Sequence, residues 1–473
     1  MTHPVTRRPR APRVGHAVTG TAPARRPAPV EAALRLRAAA GTEPGRLRAI
    51  GAVLVGLILL TGVLTAGEVA ERAGAAHDAL VSGAPPSADA ARIHRSLAEA
   101  DTTAAMGFLA GGDEPREVRE RHDELVADTA RLLTVAASHP RPEGGPAAEA
   151  VERIDLLNRT LPVYTGLVGA ARADNRRGLP LGGAYLRYAN SLMQEVMLPA
   201  ARELHALETE RMRADLERAS ALPVAGPLLG AVTLLALLVT HRRHLRRTRR
   251  ILNPGLVAGT VALTVLVGWA LASHAVARSS FGAALGENLP AVEAVNEAWA
   301  TVILTRGDEN LFLVARGSGG GYAESARQRL ERLSGPEGAA GTGLLARAGE
   351  LARDPRGPER LASAREAVSI WWELNTEALR AEASGEYDRA TRLIIGEPGE
   401  AEGSRGTAHT GTYARAAGEE LRMALEAERE RFDEVAAAGR EALRGPGEGA
   451  APLTLLGALT VVLGIGRRLA EYR

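Results

Sequence analysis

The sequence predicts an all-α membrane protein with four transmembrane helices and two extracytoplasmic up-and-down four-helix bundles, in a duplicated layout. Three observations support this fold class. Four long apolar segments contain no Asp, Glu or Arg. The segments that separate them alternate between acidic and basic. The acidic segments repeat apolar residues every three or four positions and show no sustained alternation, which favours helices over strands.

Each apolar segment is close to the roughly 20 residues that a helix needs to cross a bilayer. A buried core helix of this length usually carries a polar stripe, and none of the four does. A cleaved signal peptide is the alternative for the first segment, but the 48 residues before it are far longer than an ordinary basic leader. We therefore predict four membrane spans, at 49–67, 219–240, 251–277 and 449–466.

Arginine placement predicts the orientation of the spans. Residues 1–48 contain ten Arg and two acids, the link 241–250 contains six Arg and no acid, and residues 467–473 contain three Arg and one acid. Basic segments beside spans stay in the cytoplasm. We therefore expect a multi-pass protein of the cell membrane with both termini and the link in the cytoplasm, 1–48 being a disordered basic tail. The acidic segments 68–218 and 278–448 are then extracytoplasmic.

The first acidic segment is expected to form one bundle. Pro85 and Pro86 should end the helix that leaves the membrane, and Ser87 should cap the next one. That next helix places an apolar stripe from Ile93 to Phe108 on one face. Breakers at Gly111-Gly112, at 139–146 and at 178–183 separate the remaining three helices, at about 114–138, 147–177 and 183–218.

The second acidic segment repeats this plan with longer joints, and the first and third spans begin about 202 residues apart. Its main helices are expected at about 281–316, 359–383 and 412–443. The two halves should differ at their second junction. The helix 183–218 should run straight into the second span, whereas Gly445-Pro446-Gly447 should separate the last helix from the fourth span.

The chain lacks the residues of common enzyme sites. It contains no Cys, and all 58 basic residues are Arg, so thiol nucleophiles and the phosphate-binding loop that needs Lys are excluded. Motifs of zinc proteases, serine hydrolases and kinases are absent, and the 11 His lack metal-ligand spacing. The cytoplasmic segments are too short for a catalytic domain. We predict a protein that is not an enzyme and needs no cofactor or metal.

Polar clusters on otherwise apolar helices are candidates for binding a ligand or a partner. An Arg beside an Asn is suited to bind the carboxylate of an amino acid, and the alternative is that these residues form solvated faces and loop caps. The candidates are Asp101, Thr102 and Thr103; Arg172, Asn175, Arg176 and Tyr185; and Asp308, Glu309, Asn310 and Arg316.

Two further features concern the membrane region. The pairs Gly226/Gly230 and Gly255/Gly259 permit close helix packing, within the chain or in a homodimer. The link is expected to contact anionic lipids, an acidic cytoplasmic partner, or both, whereas nucleic acid is not expected at a membrane. Its basic side chains are Arg242, Arg243, Arg246, Arg247, Arg249 and Arg250.

Four stretches together resemble a known family. They are AEADTTAAMGFLAGG (98–112), LPVYTGLVGAARADNRRGLPLGGAYLRYANSLM (161–193), MLPAARELHALE (197–208) and RGDENLFLVARGSGG (306–320). The chain is similar, over roughly 50–466, to the actinobacterial four-span protein of the glutamine/glutamate-sensing system, which is encoded beside an amino-acid-binding lipoprotein and serine/threonine kinase G.

The resemblance implies a membrane signal transducer. Its exterior bundles would receive the loaded lipoprotein, and its cytoplasmic face would pass the state to the kinase. Two alternatives remain open: a direct sensor of a small ligand without a binding-protein partner, and an envelope scaffold that does not signal.

Overall fold

The computed structural model describes residues 43–139, 144–248, 253–315, 317–336, 341–396 and 408–470. Every regular element in these residues is helical, which confirms the all-α prediction. Four helical stretches are long and apolar enough to cross a membrane, within Gly45–Leu109, Leu181–Arg243, Pro254–Ala315 and Thr410–Arg467. Their apolar side chains include strongly exposed ones such as Val63 at 67%, as expected for surfaces that face lipid.

The first half contains seven α-helices and two short π-helical segments. The α-helices are α1 (Glu43–His77), α2 (Ala84–Leu109), α3 (Arg116–Ser138), α4 (Pro146–Arg176), α5 (Leu181–Leu192), α6 (Leu198–Ser220) and α7 (Ala225–Thr248), and the π-helical segments are π1 (Asp78–Gly83) and π2 (Met193–Met197).

The second half begins with the same order of elements. Its helices are α8 (Pro254–Ala283), α9 (Leu289–Ala315), α10 (Gly320–Ser334), α11 (Leu344–Leu351), α12 (Gly357–Ala383), α13 (Tyr387–Ile395) and α14 (Thr410–Ala470), with π3 (Ala284–Asn288) between α8 and α9. The short helices α11 and α13 were not expected from the sequence.

The prediction that Pro85 and Pro86 end a helix is wrong, because α1, π1 and α2 form one continuous helix of about 100 Å. A π-helical turn is wider than an α-helical one, and here the Ala84 amide donates to the carbonyl of Ala79, five residues earlier. The prolines follow in the first turn of α2. Each π-helical segment has a proline two residues after its end, at Pro85, Pro199 and Pro290.

The predicted difference between the two junctions is also wrong, since the structure reverses it. Helix α6 ends at Ser220, and Ala221 is extended, with φ −61° and ψ 138°. Leu222 precedes Pro223, and a residue before proline disfavours the helical conformation. In the second half, α14 continues through Pro446 into the fourth span. Trp269 packs against Gly445 there, and this tertiary contact favours the helix where the local sequence does not.

The two bundles are joined along α2 and α9. Ile93, Leu132, Leu157 and Leu204 fill the first bundle, between α2, α3, α4 and the α5–α6 pair. The second bundle is built by α9, α10, α11, α12 and α14 around Trp371. Helix α9 also contributes side chains to the core of the first bundle. The two bundles therefore form one packed unit.

Four helices continue the packing toward and through the spans. Met212, Phe281 and Phe432 share a core with the end of α1, just beyond the spans. Further along, Leu54, Leu237, Leu263 and Val461 bring together α1, α7, α8 and α14. The pairs Gly226/Gly230 and Gly255/Gly259 allow close contact between helices of the same chain. A Cβ on Gly255 would lie 2.5 Å from the Cα of Gly464, and one on Gly226 would lie 2.8 Å from Glu68.

Candidate functional site: the interface between the halves and the α6–α7 joint

Helices α2 and α9 run parallel and meet at equivalent positions of the two halves. The Thr102 hydroxyl, which also donates to its own helix, lies 3.1 Å from the carbonyl of Ile303. Two turns earlier, Arg95 on α2 donates to the side-chain oxygen of Asn296 on α9. Both pairs are 201 residues apart in the sequence, close to the offset between the first and third spans. In a symmetric dimer, equivalent surfaces of two copies meet around a twofold axis. Here the two halves of one chain meet in the same way, with the axis running along the two helices.

Asp101 is buried beside this interface and is held by side chains of the first bundle. Its carboxylate accepts a hydrogen bond from Asn190 at 2.6 Å and a longer one from Tyr164 at 3.3 Å. Burial raises the pKa of Asp101 to about 6, and the nearby Asp308 adds to the rise, whereas the two hydrogen bonds oppose it. The site therefore exchanges a proton within the range of mildly acidic conditions.

Glu309 is a second buried carboxylate, which lies in the second bundle and accepts hydrogen bonds from four groups. Trp371 and Asn375 donate to Oε1 at 2.8 and 2.7 Å, and Arg306 and Thr410 donate to Oε2, each at 3.0 Å. A buried carboxylate with four donors is fully satisfied. Glu309 therefore connects α9, α12 and α14 and has no remaining need for a ligand.

Asp308 and Asn310 complete the interface cluster. Asp308 accepts from Arg329 at 2.7 Å, and burial raises its pKa in spite of that pairing. Asn310 donates to the carbonyl of Thr102 at 3.3 Å. The structure thus brings together two of the three predicted clusters, which lie about 200 residues apart in the sequence. Thr103 donates to its own helix, at the carbonyl of Glu99.

The third predicted cluster lies at the far tip of the first bundle, away from the interface. Asn175 donates to the carbonyls of Phe108 and Gly111, and so fastens the end of α2 to the end of α4. Arg172 lies 3.1 Å from a carboxylate oxygen of Glu114 and 3.6 Å from one of Asp123. Groups of the chain itself thus lie against both side chains, while Nε and Nη2 of Arg172 are buried without a hydrogen bond in the described part of the chain. Binding of a ligand carboxylate by these residues stays a prediction.

The remaining predicted residues lie at the surface or outside the described part. Arg176 is exposed, and Tyr185 packs at the edge of the first core. Arg242, Arg243 and Arg246 are exposed on the last turns of α7. Arg316, Arg249, Arg250 and the side chain of Arg247 lie outside the described residues.

Sequence reasoning missed the joint between α6 and α7, which two side chains of α1 hold. Glu68 accepts from the amides of Val224, Ala225 and Gly226 at 3.1, 2.9 and 3.0 Å, and so caps the start of α7. One turn later, Arg72 donates to the carbonyls of Ala221 and Leu222 at 2.8 and 3.0 Å. Glu68 and Arg72, four residues apart directly after a span, are a signal that the sequence contains. The sequence does not indicate that their partners are the backbone groups of residues 221–226.

Comparison with known proteins finds one family that is similar to the first bundle. The model of an actinobacterial sensor domain matches residues 75–217, from the end of α1 to the last turn of α6. No curated protein and no solved structure matches the chain. The chain thus contains a region similar to a sensor domain, together with four helices able to span a membrane. These two findings support a signal-sensing, multi-pass membrane protein.

Proposed function

We propose that the protein relays an extracytoplasmic amino-acid signal, presented by a solute-binding lipoprotein, to a cytoplasmic serine/threonine kinase. The sensor-domain match over 75–217 supports the sensing role. The lipoprotein and the kinase come from the family resemblance. On this proposal the output lies on the kinase, a separate protein.

The observation that carries the proposal is the contrast between the four junctions. Helices α1–α2, α8–α9 and α14 each pass unbroken from a span into the sensing domains, through π1 and π3 in the first two cases. Only α7 is separated from its bundle helix. A change at the α2–α9 interface therefore moves three spans as rods, whereas α7 follows through Glu68 and Arg72 on α1 and through its packing against the other spans.

This contrast gives the link a mechanical role. The link 241–250 joins the end of α7 to the start of α8, so a shift of α8 relative to α7 displaces its arginines. A partner bound outside biases such a two-state arrangement by its different affinity for the two states. The displaced basic surface is then presented to, or withdrawn from, an acidic face of the kinase.

Proximity labelling tests the partners. The labelling enzyme is placed in the link in one strain and in the exposed loop at Asp113 in another. We expect a solute-binding lipoprotein from the loop strain and a serine/threonine kinase from the link strain. Recovery of cell-wall or division proteins alone from both strains would support the envelope scaffold and end the relay proposal.

A disulfide lock tests the movement. The hydroxyl oxygens of Thr61 on α1 and Thr233 on α7 are 3.1 Å apart inside the membrane region, and the chain contains no Cys. Replacing both by Cys and oxidising should fix α7 to α1 and abolish the kinase response to added amino acid. Reduction should restore the response, and either single Cys variant is the control. An unchanged response in the locked protein would contradict the mechanism.

A further inference from the structure

A cavity of about 340 Å³ lies between the two halves, on the membrane-proximal side of the Arg95–Asn296 contact. Its walls come from the start of α2, from α6, from the start of α9 and from α14. The volume is within the range of small-molecule sites. Because both halves contribute walls, an occupant would contact both at once.

The floor of the cavity is apolar. Met212, Leu289 and Phe432 line it and are buried, and Leu80 of π1 is half-buried beside them. Such a floor binds an apolar body of matching size, because transfer of apolar surface from water is favourable.

Two arginines on α14 line the same cavity without a hydrogen bond or a close ion pair in the described residues. Within the described residues, neither Arg429 nor Arg440 has an ion pair within 4.0 Å or a hydrogen bond, and Nε of Arg440 is buried. The other basic side chains along this part of α14 behave differently, since Arg422, Arg431 and Arg444 each pair with a glutamate. Burial also lowers the pKa of Arg429, which shows that its charge is poorly solvated.

Within the described part of the chain, the acidic side chains of the cavity form no close ion pair with these arginines, although the charge of Asp433 attracts Arg429 and raises its pKa in opposition to burial. Asp433 lies one turn after Arg429 and has no ion pair in the described residues. Glu293, on the opposite wall, lies 3.8 Å from Arg213 on α6. The cavity therefore offers unpaired guanidinium groups above an apolar floor, and a carboxylate is the chemical complement of such a group.

We propose that this cavity binds a small organic carboxylate with an apolar body. The carboxylate binds Arg429 or Arg440, and the body covers the floor formed by Met212, Leu289 and Phe432. Because the carboxylates of Asp433 and Glu293 also line the cavity, the ammonium group of an α-amino carboxylate would have acidic partners there, while its carboxylate binds an arginine. The proposal goes beyond the relay function and does not depend on the lipoprotein or the kinase.

The position of the cavity identifies the source of the ligand as a dissolved molecule instead of a lipid. Leu80 is 13 residues beyond the predicted end of the first span at Gly67, and Arg440 is nine residues before the predicted start of the fourth span at Gly449, which are about 20 and 14 Å along a helix. A lipid headgroup at the membrane surface does not reach this far. The occupant also contacts Leu80 within π1 and Leu289 directly after π3, so binding would act on both helices that enter the membrane.

Three probes of similar shape separate the charge requirements. They are 4-methylpentanoate, which carries only the carboxylate, leucine, which carries both charges, and 3-methylbutylamine, which carries only the ammonium. Titration calorimetry is performed on the full chain in nanodiscs of neutral lipid. We expect the two carboxylates to bind and the amine not to bind. Binding of the amine as tight as that of the carboxylates, or binding of no probe, would overturn the proposal.

Variants locate the binding. Arg429→Gln and Arg440→Gln should together weaken carboxylate binding at least about tenfold. Arg431→Gln, on the same helix but exposed and paired with Glu434, is the matched control. Ala88→Leu, which fills the cavity from α2, should also abolish binding and covers the case in which the double variant fails to fold. Full binding by Ala88→Leu would place the ligand elsewhere. Since these are measurements on purified protein, their failure leaves the relay proposal unaffected.

Discussion

The guanidinium of Arg72 donates to the carbonyl of Ala221 at 2.8 Å and so ties the first span helix to the end of α6. With Glu68 one turn earlier, it supplies polar partners for the backbone groups that the break between α6 and α7 leaves unpaired. Unpaired groups of this kind at a membrane surface are costly. These two side chains of α1 therefore stabilise the joint.

Removal of the Glu68 carboxylate should loosen the joint. We expect Glu68→Ala to lower the free energy of unfolding by about 1–2 kcal/mol, because three amides at the start of α7 lose their acceptor. The measurement is the thermal unfolding midpoint of the full chain in nanodiscs. Glu71→Ala, an exposed neighbour on the same helix, is the control. Equal midpoints for the two variants would show that the cap contributes nothing.

Asp101 should make stability depend on pH. Its carboxyl has a raised pKa of about 6, so the folded protein binds the proton more tightly than the unfolded chain, whose carboxyl has a pKa near 3.8. The contribution of Asp101 to the free energy of unfolding is therefore highest below pH 4, falls as the pH rises to 6, and stays low above it. Between pH 5 and pH 7 we expect a loss of about 1 kcal/mol from this group.

The Asp101→Asn variant isolates this contribution. Between pH 5 and pH 7 its stability relative to the native protein should rise by about 1 kcal/mol, whereas the buried His94 and His205, whose pKa values burial lowers, add a slope of the opposite sign to both proteins. Asn190 can turn its amide to pair with the new side chain. Asp155→Asn, at an exposed position of α4, should keep the native slope. A native slope in Asp101→Asn would show that Asp101 is not the titrating group.

The glycines of the α8–α14 contact should be intolerant of side chains. Gly255→Ala places a Cβ 2.5 Å from both the Cα of Gly464 and the carbonyl oxygen of Thr460, so the two helices must separate. We expect a loss of about 1–3 kcal/mol. Gly268→Ala, on the same helix with open space around it, should be neutral. Unfolding in increasing dodecyl sulfate compares the two, and similar curves would refute the close contact.

The absence of Cys permits a clean test of orientation. Asp113 lies in the exposed loop after α2, and Leu245 is exposed near the end of α7. In intact cells, a membrane-impermeant maleimide should label Asp113→Cys, and should label Leu245→Cys only after permeabilisation. The reverse result would place the bundles in the cytoplasm and contradict the arginine-based topology.

Much of the architecture follows from the sequence because hydropathy and helical periodicity are local properties. The apolar segments predicted the four span helices, and the breakers at Gly111-Gly112 and Gly178 marked turns that the structure contains. The sequence also singled out Asp101 and Asp308 as unusual polar residues on apolar helices. It did not predict that they would approach each other, because their contact depends on how two distant halves pack.

Junctions between helices depended on tertiary structure. Proline at 85, 223 and 446 carries the same local preference, yet the chain continues as a helix at the first and third positions and breaks at the second. The π1 turn precedes Pro85, Trp269 packs beside Pro446, and Glu68 with Arg72 stabilises the open backbone at Pro223. The sequence by itself determined where the chain can be helical and where it can cross a membrane. The tertiary structure decided which spans are rigidly joined to the bundles, because the partners that satisfy or exclude a break lie on other helices.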